Sequence, residues 1–163
     1  MPARPTSIAL APEARRQLAA DLFNHVWALL ETDPRTDRQG ERMIDAAHAS
    51  RFFWEDIGEP VHHARGEWQI SRVYATLGRA EPALHHARQC LAICEQHGIG
   101  DFDLAYAYEA LARACALAGD PDAARRYRTQ AHAAAEHVAE RDDRTLLLSD
   151  LADLGATTIK ERD

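Results

Sequence analysis

The sequence predicts an all-α protein, built as a stack of antiparallel helix hairpins. Two observations carry that prediction. First, a segment occurs twice. Trp68–Gly78 (WQISRVYATLG), followed by Ala83, Ala87 and Cys90, is answered by Tyr108–Gly119 (YEALARACALAG), followed by Ala124, Arg128 and Ala131. Gly78 and Gly119 stand 41 residues apart, as do Ala83 and Ala124, and Cys90 and Ala131. A fixed period of this size marks stacked supersecondary units, each too small to bury its own apolar face. Second, nothing reads as a strand: Val and Ile are sparse, and no segment alternates apolar and polar residues.

The elements follow in order. From Pro12 to Glu31, Leu18, Leu22, Val26, Leu29 and Leu30 recur at helical spacing, and Asp33-Pro34-Arg35 ends the run. Thr36 and Gln39 form a capping-box pattern that opens a second helix to about Ile57. Gly58 is expected to stop it in the left-handed conformation. Pro60 opens a third helix, closed by Gly78, and a fourth runs from about Glu81 to Gln96 before Gly98 and Gly100. Asp101 is the expected cap of a fifth helix to Ala118. Asp120 and Pro121 start a sixth, to about Glu140. Asp143 to Leu154 reads as a seventh, with Leu146, Leu147, Leu148 and Leu151 as its apolar residues. The result is one domain over 12–156, with helix pairs 12–58, 60–98 and 101–141 and a capping helix 143–154. A flexible N-terminus (1–11) and a frayed tail (157–163) flank it. Short loops make neighbours antiparallel. The alanines at 83, 87, 124 and 131 let paired helices approach closely.

Residues 64–97 and 105–138 resemble tetratricopeptide repeats. Ser71, Tyr74, Gly78, Ala83 and Cys90 fall at that family's small, aromatic, turn-glycine and two alanine positions. Ala112, Cys115, Gly119, Ala124 and Ala131 do so in the second copy. The period is longer than the family's ~34 residues, which is similar to repeats in bacterial regulatory and signalling proteins. The resemblance implies binding on a concave face lined by the first helix of each pair. Carried over by register, that face holds Arg65, Trp68, Gln69, Arg72 and Thr76 from one helix and Tyr106, Glu109, Ala110 and Arg113 from the next. Trp27, with His25 or Glu31, joins from the helix before. The 3–4 spacing of these residues independently places each set on one helix face. Aromatic rings beside three guanidinium groups suit a carboxylate or another anion, because Arg binds a carboxylate through two parallel bonds. The bland reading of the same residues is a solvated face of ion pairs.

The expected function is therefore that of a binding module for a peptide segment or a small anionic ligand, with no cofactor. The alternative is an enzyme or a divalent-metal protein. His48, His63 and Glu67 would be its ligands, Asp103 or Glu109 approaching from the next pair. No known metal-ligand spacing, nucleophile motif or phosphate loop occurs, and catalytic residues are unassigned. A homodimer is a third reading. Phe52-Phe53-Trp54 cannot all face one core, since successive helical residues turn by 100°, so one ring is left for a partner or pocket.

Bulk properties narrow the classes. The 163 residues carry a net charge of −7, with 46% hydrophobic and 28% charged residues. That balance argues against a general nucleic-acid surface. No apolar run is long enough for a membrane span, and Met1–Thr6 lacks a signal-peptide core, so the expected location is the cytoplasm. The odd count of three cysteines, without a Cys-x-x-Cys, reads as reduced core residues.

Overall fold

A computed structural model describes residues 9–160. Seven helices fill that range: α1 (Pro12–Leu30), α2 (Asp37–Trp54), α3 (Pro60–Thr76), α4 (Ala80–His97), α5 (Asp101–Leu117), α6 (Pro121–Ala135) and α7 (Arg141–Lys160). No strand is present among the described residues. Most of the expected flexible N-terminus, 1–8, and the end of the expected tail, 161–163, lie outside them.

Each helix packs on its neighbour in sequence. Beyond that, the backbones of odd-numbered helices come close: α1 to α3, α3 to α5, and α5 to α7. The even helices stand further apart, and α2 reaches α4 only through side chains, where the His48 and His86 rings meet. The stack therefore has an inner row, α1–α3–α5–α7, and an outer row, α2–α4–α6. The closing helix does more than cap the stack, because it stands where the first helix of a fourth pair would stand.

The repeat is legible in the backbone. Gly78 and Gly119 take positive φ, 72° and 78°. In each case the next residue donates to the carbonyl five residues back, Arg79 to Tyr74 and Asp120 to Cys115. This closure satisfies orphan carbonyls at a helix end and needs a residue without a Cβ. Gly98 (φ 63°) ends α4 the same way, with Ile99 donating to Cys94. Gly58 differs from expectation. It does not take positive φ, and α2 ends earlier, at Trp54. Glycine is required there by space, since a Cβ would lie 2.7 Å from the Trp54 carbonyl oxygen.

Side chains complete the other ends. Thr36 and Gln39 form the expected reciprocal cap of α2. Arg35 donates to the last carbonyls of α1, Leu29 and Leu30. Asp120 caps α6 through the Ala123 N–H. Asp101 is not a cap. It is the first residue of α5, with φ 53°, and its carboxylate accepts from Ala139 N–H instead. That bond helps explain why α6 stops at Ala135 rather than near Glu140. Val138 is buried, Arg144 donates to its carbonyl, and the link is pinned against the start of α5.

Small residues mark the points of closest approach. Ala83, Ala87 and Ala131 are fully buried, whereas Ala124 is only partly covered and its neighbour Ala123 takes the inner position. Ser71 donates across the α3–α4 contact to the Ala83 carbonyl, and Ser50 does the same from α2 to Ala19 on α1. Of the four leucines expected on one face of α7, Leu147 and Leu151 are buried, and Leu146 and Leu148 are exposed.

Replacing Gly119 by Ala tests the turn geometry alone, because an added Cβ meets nothing within 4 Å. The expected outcome is a loss of about 1 kcal/mol from left-handed strain. It should appear as a lower urea midpoint with an unchanged slope.

Candidate functional site

The inner row borders a partly open cavity of about 670 Å³. Phe23 and Trp27 of α1, Arg65, Trp68 and Arg72 of α3, Phe102, Asp103 and Tyr106 of α5, and Asp143, Leu146 and Asp150 of α7 line it. Ala64, Cys90, Asp101 and Glu140 complete the wall. Every inner helix contributes, and the outer row supplies only Cys90.

Five rings run across the wall in unbroken contact. Phe23 meets Trp27 at 6.4 Å between centroids, Trp27 meets Trp68 at 5.5 Å, Trp68 meets Tyr106 at 5.5 Å, and Tyr106 meets Phe102 at 4.6 Å. The contacts are tilted or edge-on, the geometries that ring quadrupoles favour. Phe23–Trp27 and Phe102–Tyr106 are four-residue steps along one helix, so each pair shares a face.

Charges are interleaved with the rings. Arg65 grips Asp103 through two bonds, Nε to Oδ1 at 2.7 Å and a terminal nitrogen to Oδ2 at 3.0 Å. That hydrogen bond holds the Arg65 guanidinium above its usual value, and the nearby charges of Asp103 and Asp143 add to the effect. Tyr106 donates its hydroxyl to Asp150 at 3.0 Å. Burial, then the Asp150 charge, pushes the Tyr106 phenol well up. Cys90 is held protonated by its hydrogen bond to Cys94 and by burial, which makes it a poor nucleophile. All three cysteines are free and buried.

Behind this wall lies Glu109, whose residue exposure is 0%. Arg113 donates to its Oε1 through Nε and a terminal nitrogen. Arg72 reaches the same oxygen only at 3.7 Å, beyond hydrogen-bond range. The Arg72 side chain donates no hydrogen bond among the described residues, although it is only 26% exposed and lines the cavity. Burial, then the like charge of Arg113, holds Arg72 below the usual arginine value. The guanidinium is still charged at neutral pH. Trp68 Nε1, Gln69 Oε1 and Glu109 Oε2 are also buried without partners.

The expected binding face is thus divided. Trp27, Arg65, Trp68, Arg72 and Tyr106 border the cavity. Gln69, Glu109 and Arg113 do not. Gln69 is 1% exposed and donates to the Phe23 carbonyl, tying α3 to α1. Glu109 and Arg113 form the layer beneath. Ala110 is buried, Thr76 bonds its own helix at Arg72, and His25 accepts from Arg42. Phe23, Phe102, Asp103, Asp143, Leu146 and Asp150 were not among the expected contacts. Extending the four-residue rhythm back from Trp27 and Tyr106 finds the two phenylalanines. For α7 the only signal was spacing, since Asp143 and Asp150 fall 41 residues after Phe102 and Glu109 without sharing their residue types.

The alternative metal set is not assembled. Among the described residues, no three His, Cys, Asp or Glu side chains are grouped to hold a metal ion. His63 donates to the Trp54 carbonyl at 2.9 Å. Glu67 accepts from Arg51 at 3.0 Å and from His86 Nδ1 at 2.7 Å. His48 shares a hydrogen bond with the Tyr74 hydroxyl at 3.1 Å and meets the His86 ring edge-on. These groups satisfy one another in a polar layer between α2, α3 and α4. Burial opposes ionisation of Glu67, but His86 and Arg51 outweigh it and hold the carboxyl below its ordinary range. Of the three adjacent aromatics, Trp54 is buried against His62, Phe53 is half-buried, and Phe52 is the ring left outside, 55% exposed. No described helix is long and apolar enough to cross a membrane.

Two outcomes follow from the buried charges. Glu109→Gln leaves Arg72 and Arg113 facing each other without a counter-charge, and should cost about 3 kcal/mol in chemical denaturation. His48 is held below its ordinary value of about 6.5 by burial and by His86, against weaker opposition from Glu67 and Asp45. The unfolded chain then binds a proton that the folded chain does not, so stability falls as pH drops through 6.5. His48→Asn should flatten the urea midpoint between pH 7 and 5 relative to the parent protein.

No family model matches the chain, and no curated protein matches it.

Proposed function

We propose that the chain is a tetratricopeptide-like binding module whose inner cavity captures a small carboxylate-bearing ligand. The observation that carries this reading is Arg72. It is a guanidinium with no hydrogen bond, set in a cavity wall beside Trp68 and Tyr106. A mostly buried polar group without hydrogen-bond partners is costly to keep, and a carboxylate is the ligand that best satisfies a planar fork of N–H donors. Volume favours a small molecule over a peptide segment, since about 670 Å³ lies within the range of small-molecule sites. The aromatic wall supplies the apolar area such sites use.

The shared turn geometry of Gly78 and Gly119 supports the repeat assignment. Free, buried cysteines suit a reducing compartment, which supports a cytoplasmic location. The alternative of a metal enzyme loses its donor set, because His48, His63 and Glu67 are engaged elsewhere.

The test uses the three tryptophans. Trp27 and Trp68 line the cavity and Trp54 does not, so its indole N–H resonance is an internal control. Aromatic carboxylates should shift the Trp27 and Trp68 signals and leave Trp54 in place. Arg72→Gln should weaken their binding at least ~10-fold, as expected for a lost charge-assisted bond. Unchanged affinity in that variant would overturn the carboxylate assignment.

A further inference from the structure

We infer that the ligand of this cavity is a small zwitterion: a carboxylate and an ammonium group on an aromatic or otherwise flat apolar body. This rests on the proposed capture of a carboxylate at Arg72 and adds the second charge.

The lining holds five carboxylates (Asp101, Asp103, Glu140, Asp143 and Asp150) against two guanidinium groups, Arg65 and Arg72. A simple anion would enter a surplus of its own sign. Local pairing accounts for only part of the surplus. Asp103 is neutralised by Arg65, Asp150 accepts from Tyr106, and Asp101 accepts from the Ala139 N–H. The side chains of Asp143 and Glu140 have no hydrogen bond or ion pair among the described residues. Asp143 and Asp101 sit in the first turns of α7 and α5, where a carboxylate complements the helix dipole. That placement explains why acids are tolerated there, and the one nearby cation, Arg65, is already bonded to Asp103.

The cavity is therefore polarised. Its α3 wall carries a cation without hydrogen bonds, Arg72. Its α7 side carries Asp150 in mid-helix, near enough to act on the charge of Arg72, and Asp143, which has no hydrogen bond and shares the charge of Arg65 with Asp103. Between them run the faces and edges of Trp68 and Tyr106. An ammonium group on the acidic side gains both the carboxylates and the negative faces of the rings. A carboxylate on the same molecule reaches Arg72. The two recognitions reinforce each other, because the ligand brings no net charge into a partly desolvated site.

The experiment compares matched probes on the intact protein at neutral pH and low salt. L-phenylalanine and L-tryptophan carry both charges. 3-Phenylpropionate and indole-3-propionate lack the amine, and phenethylamine and tryptamine lack the carboxylate. Affinity is measured by calorimetry, and the site is located from the Trp27 and Trp68 indole signals, with Trp54 as control. The expected result is that an amino acid binds at least ~10-fold tighter than either of its truncated counterparts. Asp143→Asn should then cut amino-acid affinity several-fold while leaving the propionates unchanged or tighter. If a propionate binds as tightly as its amino acid, the zwitterion inference falls and carboxylate capture stands. If an amine binds tightest, both fall, and the cavity is a cation site. If no probe moves Trp27 or Trp68, small-ligand capture itself is overturned. Binding restricted to longer peptides carrying the same groups would replace the small molecule with a chain segment.

Discussion

The carboxylate of Glu109 is the constraint around which the concave wall is built. It is fully buried on α5, at the level where α5 faces α3. An isolated charge there would be prohibitive, so the fold must bring a cation to it. Arg113, one turn along the same helix, does so through two donors to one oxygen. That local solution has a consequence for α3. Arg72 arrives at the same oxygen second and stops at 3.7 Å. It is close enough to feel the charge and too far to bond. One carboxylate thus serves two guanidinium groups, and the donors of Arg72, a residue that also lines the cavity, are left without hydrogen bonds. The free valence of Arg72 is a product of how Glu109 is neutralised.

Packing by small residues sets the rest of the frame. Ser50 and Ser71 donate to carbonyls on the facing helix of the pair, so each bond fixes both spacing and register. The backbones of the outer helices stay apart while those of the inner ones approach, and the stack must curve around the inner row. Curvature alone would leave an open groove. α7 packs on α5 and α6 in the place of a further inner helix, and its Leu146 and Asp150 turn the end of that groove into a cavity. Trp68 holds the centre. It packs against three of the four buried apolar clusters, while its ring also faces Trp27 and Tyr106 in the wall. Wall and core therefore share a side chain.

Fold class, helix order and hairpin pairing were legible in the sequence because they depend on local signals: prolines at helix starts, glycines at helix ends, and a 41-residue echo. Gly78 and Gly119 repeat because the same turn needs the same missing Cβ. Gly58 looked alike and was not, since crowding against Trp54, rather than φ, requires it. The site was legible only along helices that carry the repeat register. Trp27, Arg65, Trp68, Arg72 and Tyr106 follow from face and spacing. Which of the face residues are buried does not, as Gln69 and Glu109 show. Whether an Arg is free depends on its neighbours' other contacts, and these come from residues far apart in sequence. Asp143 and Asp150 stand 41 residues after Phe102 and Glu109, in step with the period, but their residue types do not echo the repeat and the period alone did not mark them as cavity residues.

The histidines show the same distinction between composition and placement. Nine in a chain of this length invite thoughts of metal or acid–base chemistry. Four of them, the candidate ligands His48 and His63 with His62 and His86, sit on α2, α3 and α4 outside the cavity lining, and each uses a ring nitrogen in structure. His86 completes the Glu67 carboxylate that Arg51 begins. His48 closes on Tyr74, His63 ties the end of α2, and His62 stacks on Trp54 while its Nδ1 accepts from Glu59. A reactive group needs unfilled hydrogen-bonding capacity at a surface a substrate can reach. In this molecule the polar layer between the pairs has little to spare. The inner wall has Arg72, with Asp143 and Glu140 on or beside α7, and that uneven distribution is what sets the cavity apart from the rest of the molecule.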